Sequence, residues 1–189
     1  MNIFILSKDP VEAAQMLCDK HAAGKMVVES AQMLSTAHRM LDGVETRGPS
    51  KSGKTNSKKW IHPDPELDQI LYKAVHIHHP CTVWTMQSNN NYTWHWIHFA
   101  ALCDEFTYRY GKVHSTDALL RNVLKQLPKN IPVGYLTQQP LAMKSNPECM
   151  NPNDVVGSYR AFYQTKQERF KMEWKNRPVP EWFKVKEAA

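Results

Sequence analysis

Two short stretches of this sequence bring chemically capable side chains close together. The first is DKHAAGKMVVE, residues 19–29, with Asp19, Lys20, His21, Lys25 and Glu29 around a glycine. A lysine with a glutamate is the pair used in Schiff-base chemistry, and a histidine with an aspartate can move a proton. Lys20, His21, Glu29 and Asp19 are therefore the catalytic candidates. The same residues also read as the polar face of a helix with ordinary ion pairs. The second stretch is SNNNYTWHW, residues 88–96. Asparagine amides bond base edges and aromatic rings stack on bases, so Asn89, Asn91, Tyr92 and Trp94 could form a base-reading surface. Those asparagines could equally cap a helix. Lys25, Gln32, His79 and Arg109 complete the substrate-binding candidates.

A third stretch, GPSKSGKT at 48–55, matches the phosphate-loop pattern G-x-x-x-x-G-K-[ST]. That loop needs a buried strand before it and a helix after it, whose N-terminal amides face phosphate. No apolar run precedes Gly48, and Pro63 and Pro65 stand where the helix should continue. The stretch reads instead as part of a flexible basic insertion loop over 44–62. Arg47, Lys51, Lys54, Lys58 and Lys59 follow one another there with no acid after Glu45, which suits a polyanion.

Histidines cluster at 76, 78 and 79 and again at 95 and 98, but no zinc-site spacing accompanies them. The four cysteines, at 18, 81, 103 and 149, are dispersed without a C-x-x-C pair. No metal and no cofactor are expected, and the thiols read as free in a reducing compartment.

The elements that must position these groups are helical. Asp9-Pro10 with Glu12 has the grammar of a helix start, and so has Asp64-Pro65 with Glu66. Residues 25–41 keep helical apolar spacing up to Gly43. From Asn91, the positions Tyr92, Trp96, Phe99, Cys103, Phe106 and Tyr110 step by fours and threes, the stripe of a long central helix. Trp94, His98, Glu105 and Arg109 lie off that stripe, the last two as an i, i+4 surface pair. Further helices are predicted from Ser115 to Leu127 and from Asn153 through Trp174. Residues 128–152 read as a long, ordered, irregular loop, and such loops tend to be functional. The expected fold is mainly α: a single-domain helical bundle spanning 1–189, with at most a short N-terminal strand at NIFIL.

Lys and Arg number 24 against 18 acids, a formal charge of +6. That excess permits contact with nucleic acid without requiring it. No apolar run reaches membrane-spanning length and no signal peptide is evident, so a cytoplasmic protein without a membrane partner is expected.

The stretches DKH…KM…ESAQMLSTAHR, HPCTVW…NYTW, ALCDEFTYRYGKVH and RPVPEWF resemble a widespread family of small phage and bacterial proteins. The likeness covers nearly the whole chain outside 44–62 and carries no activity with it; it implies the cytoplasm of an infected host as the setting if a phage encodes the chain. The order of parts also resembles the phage pyrimidine-dimer DNA glycosylase of the endonuclease V type, a small, basic, all-helical repair enzyme. That resemblance implies DNA as partner and Glu29 as the counterpart of the family's catalytic glutamate. The family attacks with the α-amine of a small residue exposed by removal of the initiator Met. Asn2 is bulky for that processing, which leaves an imine to Lys20 or Lys25, or absent. The favoured expectation is a DNA-directed enzyme that flips out and acts on a base, either glycosylase-like or a transferase modifying thymine derivatives. The alternatives are a non-catalytic nucleotide- or protein-binding phage protein and an enzyme acting on a free nucleotide with the basic loop as lid.

Overall fold

A computed structural model describes residues 1–50 and 52–186. Its elements are α1 (Pro10–Gln15), α2 (Asp19–Ala22), α3 (Lys25–Asp42), β1 (Val44–Pro49), β2 (Asn56–Ile61), α4 (Pro65–Ile70), α5 (Pro80–Gln87), α6 (Asn89–Tyr110), α7 (Ser115–Lys125) and α8 (Val155–Gln164). The fold is a mainly α single domain, as expected. Among the described residues no helix is long and apolar enough to cross a membrane.

α6 is the axis. Its predicted stripe is buried at Tyr92, Phe99, Cys103 and Phe106, but Trp94, His95, His98, Glu105 and Arg109 are buried too. Glu105 and Arg109 are thus no surface pair. His95 is held by Ser30 of α3 and Thr85 of α5, and the segment 8–17 around α1 covers Trp94, His98 and Arg109 with backbone acceptors. Trp94 Nε1 donates to Lys8 O at 3.1 Å, and His98 Nδ1 donates to Pro10 O at 2.9 Å. Arg109 donates to Leu17 O at 2.7 Å and Gln15 O at 2.9 Å. A helix that is polar along one side can be buried when a neighbouring helix end offers free carbonyls.

Local departures from the sequence reading have local causes. The stretch that Asp9-Pro10 opens, one helix to about His21 by its sequence, forms two helices separated at 16–18, with Asp19 in the first turn of the second. α4 stops at Ile70, and a separate α5 starts at Pro80 with His79 as its cap. α8 is capped by Asp154 and ends at Gln164, with a 3-10 turn to Glu168, so Phe170 and Trp174 lie beyond it. Residues 2–6 are buried but pair with no strand. The sheet lies instead in the segment read as a loop: β1 and β2 form an antiparallel hairpin. Gly48 sits within β1 and a strand, not a helix, follows Thr55, so no phosphate loop forms there. Residues 128–152 carry only one 3-10 turn, at Pro147–Cys149. They are tied down where Lys129 N and Asn130 N donate to the Asp42 carboxylate at 2.8 and 2.9 Å.

Candidate active site

α3 brings its polar face to the surface by periodicity. Lys25, Glu29 and Gln32 are spaced by four and three, so they share a face, while Val27, Ala31 and Leu34 face the core. Gly24 sets the helix's entry. Its φ is 98°, and a Cβ there would meet His114 Nε2 at 2.7 Å, so a side chain would be both strained and crowded.

The beginning of the chain packs against this face. Asn2 is held by its side chain: Nδ2 donates to Ala142 O at 3.1 Å, and Oδ1 accepts from Tyr159 Oη at 3.2 Å and from Cys81 Sγ at 3.6 Å. With the side chain anchored in the interior, the backbone N–H of Asn2 donates to Glu29 Oε2 at 3.2 Å. The amino group of Met1 lies 3.4 Å from the same oxygen. Glu29 keeps 18% of its side chain exposed, so this amine–carboxylate pair adjoins solvent.

His79 closes one side. Its Nδ1 accepts from Cys81 N at 3.2 Å, so the neutral ring carries its hydrogen on Nε2. Burial, the Met1 ammonium and His76 lower its pKa, against an opposing pull from Glu29. A hydrogen bond to the Met1 backbone also acts on the ring, so His79 helps to fix the beginning of the chain. Lys166, packed on Phe162 and not in contact with this pair, is a further unusual amine: it is 8% exposed, with Nζ 3.6 Å from the ring centroid. Burial first, then Arg169 and Lys25, lower its pKa.

The other candidates stand elsewhere, with their polar groups bonded inside the chain. His21 is 5% exposed, Nδ1 is 2.7 Å from Tyr163 Oη, and burial drives its pKa to about 3. The Asp19 carboxylate receives Lys175 N at 3.0 Å and Arg109 Nη1 at 3.1 Å, so it fastens the C-terminal segment. Lys20 is exposed on α2. Asn91 is fully buried: its amide bonds Trp84 O and Thr137 Oγ1, and its carbonyl receives Thr137 N. Asn89 Oδ1 accepts from Gly134 N at 2.9 Å. Neither asparagine caps α6, because Ser88 Oγ takes Asn91 N at 3.1 Å. Tyr92 Oη donates to Leu124 O, and Trp94 stacks on His98. Arg109 bonds Glu105, Asp19 and two carbonyls. The polar groups of Asn91, Tyr92, Trp94, Arg109 and His21 are thus bonded inside the fold, and they do not converge with Glu29, which stands with His79 and the chain's amine. Sequence spacing carried no sign of that amine, whose position depends on where Asn2 is anchored. Arg47, Lys54, Lys58 and Lys59 lie on the hairpin, and Lys51 lies outside the described residues.

A second cluster sits at the hairpin base. Ligand-type atoms of His38, Asp42 and His62 lie within 4.8 Å of one another, and His62 Nε2 is buried with no hydrogen-bond partner. Its chemistry is poor for a cation. Asp64 N donates to His62 Nδ1 at 3.1 Å, which places the ring's hydrogen on Nε2 and leaves that atom no lone pair for a metal. The His62 ring faces Asp42 Oδ2 at 3.8 Å and holds the hairpin base to α3.

A cavity of about 540 Å³ lies between α1 and the tail, lined by Gln15, Arg160, Arg177 and Trp182, and Glu29 is not part of it. No protein-family model matches the chain, and no curated protein or solved structure matches it.

Proposed function

We propose that this chain is an enzyme acting on a nucleobase in DNA by imine chemistry, with Glu29 and the amine of Met1 as its reacting pair. The observation that carries the reading is the convergence of the Met1 amino group and Asn2 N on one oxygen of Glu29. In the proposed reaction the free amine attacks C1′ of the target nucleotide. The bond from C1′ to the base breaks, and the base leaves with the electron pair and takes up a proton. Glu29 accepts the proton shed by the attacking nitrogen. Opening of the C1′–O4′ bond then gives the imine, which water hydrolyses.

The test is incubation with duplex carrying damaged or modified thymines in the presence of borohydride. The reading expects base release and a trapped adduct that maps to the peptide beginning at Met1. Glu29→Gln should lose about 100-fold or more in rate, the range of general acid–base catalysis. An adduct on Lys20, Lys25 or Lys166, or turnover undiminished in Glu29→Gln, would end this assignment. Binding without any adduct or base release would favour the non-catalytic alternative.

A further inference from the structure

We infer that the β1–β2 hairpin is a binding arm for duplex DNA that enters a groove. The inference rests on the proposed reading for the choice of DNA as partner, but its evidence is separate. The base of the hairpin is rigid. Arg39 is 5% exposed and donates to Trp60 O at 2.9 Å, to Asp68 Oδ1 at 2.5 Å and to the carbonyls of Asp68, Leu71 and Tyr72. Gly43 lets the chain leave α3 closely: a Cβ there would meet Ile61 O at 2.9 Å. Beyond that base the ribbon projects into solvent, with every strand residue exposed except the half-buried Thr46, Gly48 and Trp60.

A solvated hairpin of this kind gains nothing from a core, and its charges work against it. Arg47 is directly opposite Lys58, a like-charge pair that destabilises an antiparallel ladder. Among the described residues, the hairpin cations Arg47, Lys54, Lys58 and Lys59 share one carboxylate, Glu45, which lies 2.9 Å from Lys58 Nζ. Arg47, Lys54 and Lys59 are thus free to meet anionic groups of a partner.

Register says what shape of polyanion fits. Opposed residues share a face, so Arg47 and Lys58 project from one side and Lys59, with Thr46 and Gly48, from the other. Lys54 is in the connecting turn. A flat anionic surface meets only one of those faces. A groove has phosphates on both walls, and the DNA major groove, roughly 12 Å wide, admits a two-stranded ribbon. Six residues per strand make an arm about 20 Å long.

The test uses the full chain and anisotropy titrations of a labelled B-form DNA duplex across a range of salt. The variant combines Arg47→Ala, Lys54→Ala and Lys59→Ala, which leaves Glu45–Lys58 and the Arg39 staple in place. Its affinity should fall by at least tenfold, and the slope of log affinity on log salt should flatten by about one per cation removed. Exchanging the charges conservatively, with Arg47→Lys and Lys59→Arg, should restore both, and circular dichroism should show the fold retained. An unchanged slope in the triple variant, failure of the parent chain to bind DNA, or equal affinity for an A-form RNA duplex would overturn the arm, because the RNA major groove is too narrow for it. Loss of binding in the variant without any trapped adduct in the parent would sink only the enzymatic reading. A trapped adduct with binding indifferent to the hairpin would sink only the arm.

Discussion

Replacement of Glu105 by Gln tests the idea that a buried ion network joins the front and back of this fold. The Glu105 carboxylate is 3% exposed and receives Arg109 Nε at 3.0 Å and Arg177 Nη2 at 2.5 Å. Arg109 has no exposed side-chain surface, so losing its charged partner leaves a cation in the interior. Removal of one member of a buried pair costs about 3–5 kcal/mol. Arg109 keeps Asp19 at 3.1 Å and two carbonyls, which places the effect at the low end, about 3 kcal/mol. For a chain of this size that is a fall in Tm of roughly 6–12 °C. Calorimetry or thermal circular dichroism would read it. The less buried side of the same network gives an internal comparison: Arg177 is 28% exposed and its removal leaves Glu105 paired with Arg109, so Arg177→Ala should cost less than Glu105→Gln. A Glu105→Gln protein melting within 2 °C of the parent would refute the claim that the network bears on stability.

Three further outcomes follow from the same geometry. Asn91→Ala orphans Trp84 O and Thr137 N in the interior, so urea melts should show a loss of about 2–4 kcal/mol, with residues 128–152 becoming more sensitive to protease; no loss would mean the latch is idle. Burial holds His21 near pKa 3 and both His38 and His98 near 4, whereas an unfolded histidine titrates near 6.5. Below about pH 6.5 the unfolded chain thus binds more protons, and stability should fall as pH drops towards 4 by up to about 1.4 kcal/mol per unit for each ring. These rings add no pH dependence above pH 7, and denaturant melts at pH 7, 6 and 5 that coincide would contradict the burial. Zinc or a chelator should leave Tm unchanged, since His62 Nε2 carries a hydrogen; a clear rise with zinc would show that the Asp64 contact gives way to a metal.

Helix content and most helix starts were legible because they depend on neighbours in sequence. The Asp9-Pro10 and Asp64-Pro65 caps form as their residue types dictate, with each aspartate accepting two amides of its own first turn. The 3.6-residue period of α3 likewise placed Lys25, Glu29 and Gln32 together. Burial was less legible. The i, i+4 spacing of Glu105 and Arg109 is the same on a surface and in an interior, and only α1, arriving from far away in sequence, decides which. The hairpin was missed because its strands are polar on both faces, so they show no apolar alternation, and their pairing depends on register across a turn.

The amino-acid sequence by itself determined a mainly α, basic chain and put Glu29 on an outward helix face, because propensity, caps and periodicity act within a few residues. Tertiary structure alone decided which polar groups stay free. It buried Asn91 and Arg109 against backbone partners up to 94 residues away and His21 against the Tyr163 hydroxyl, and it carried the Met1 amine to Glu29 by anchoring Asn2 to Tyr159 and Ala142. Hydrogen bonds of that span depend on how helices pack, and no local pattern records it.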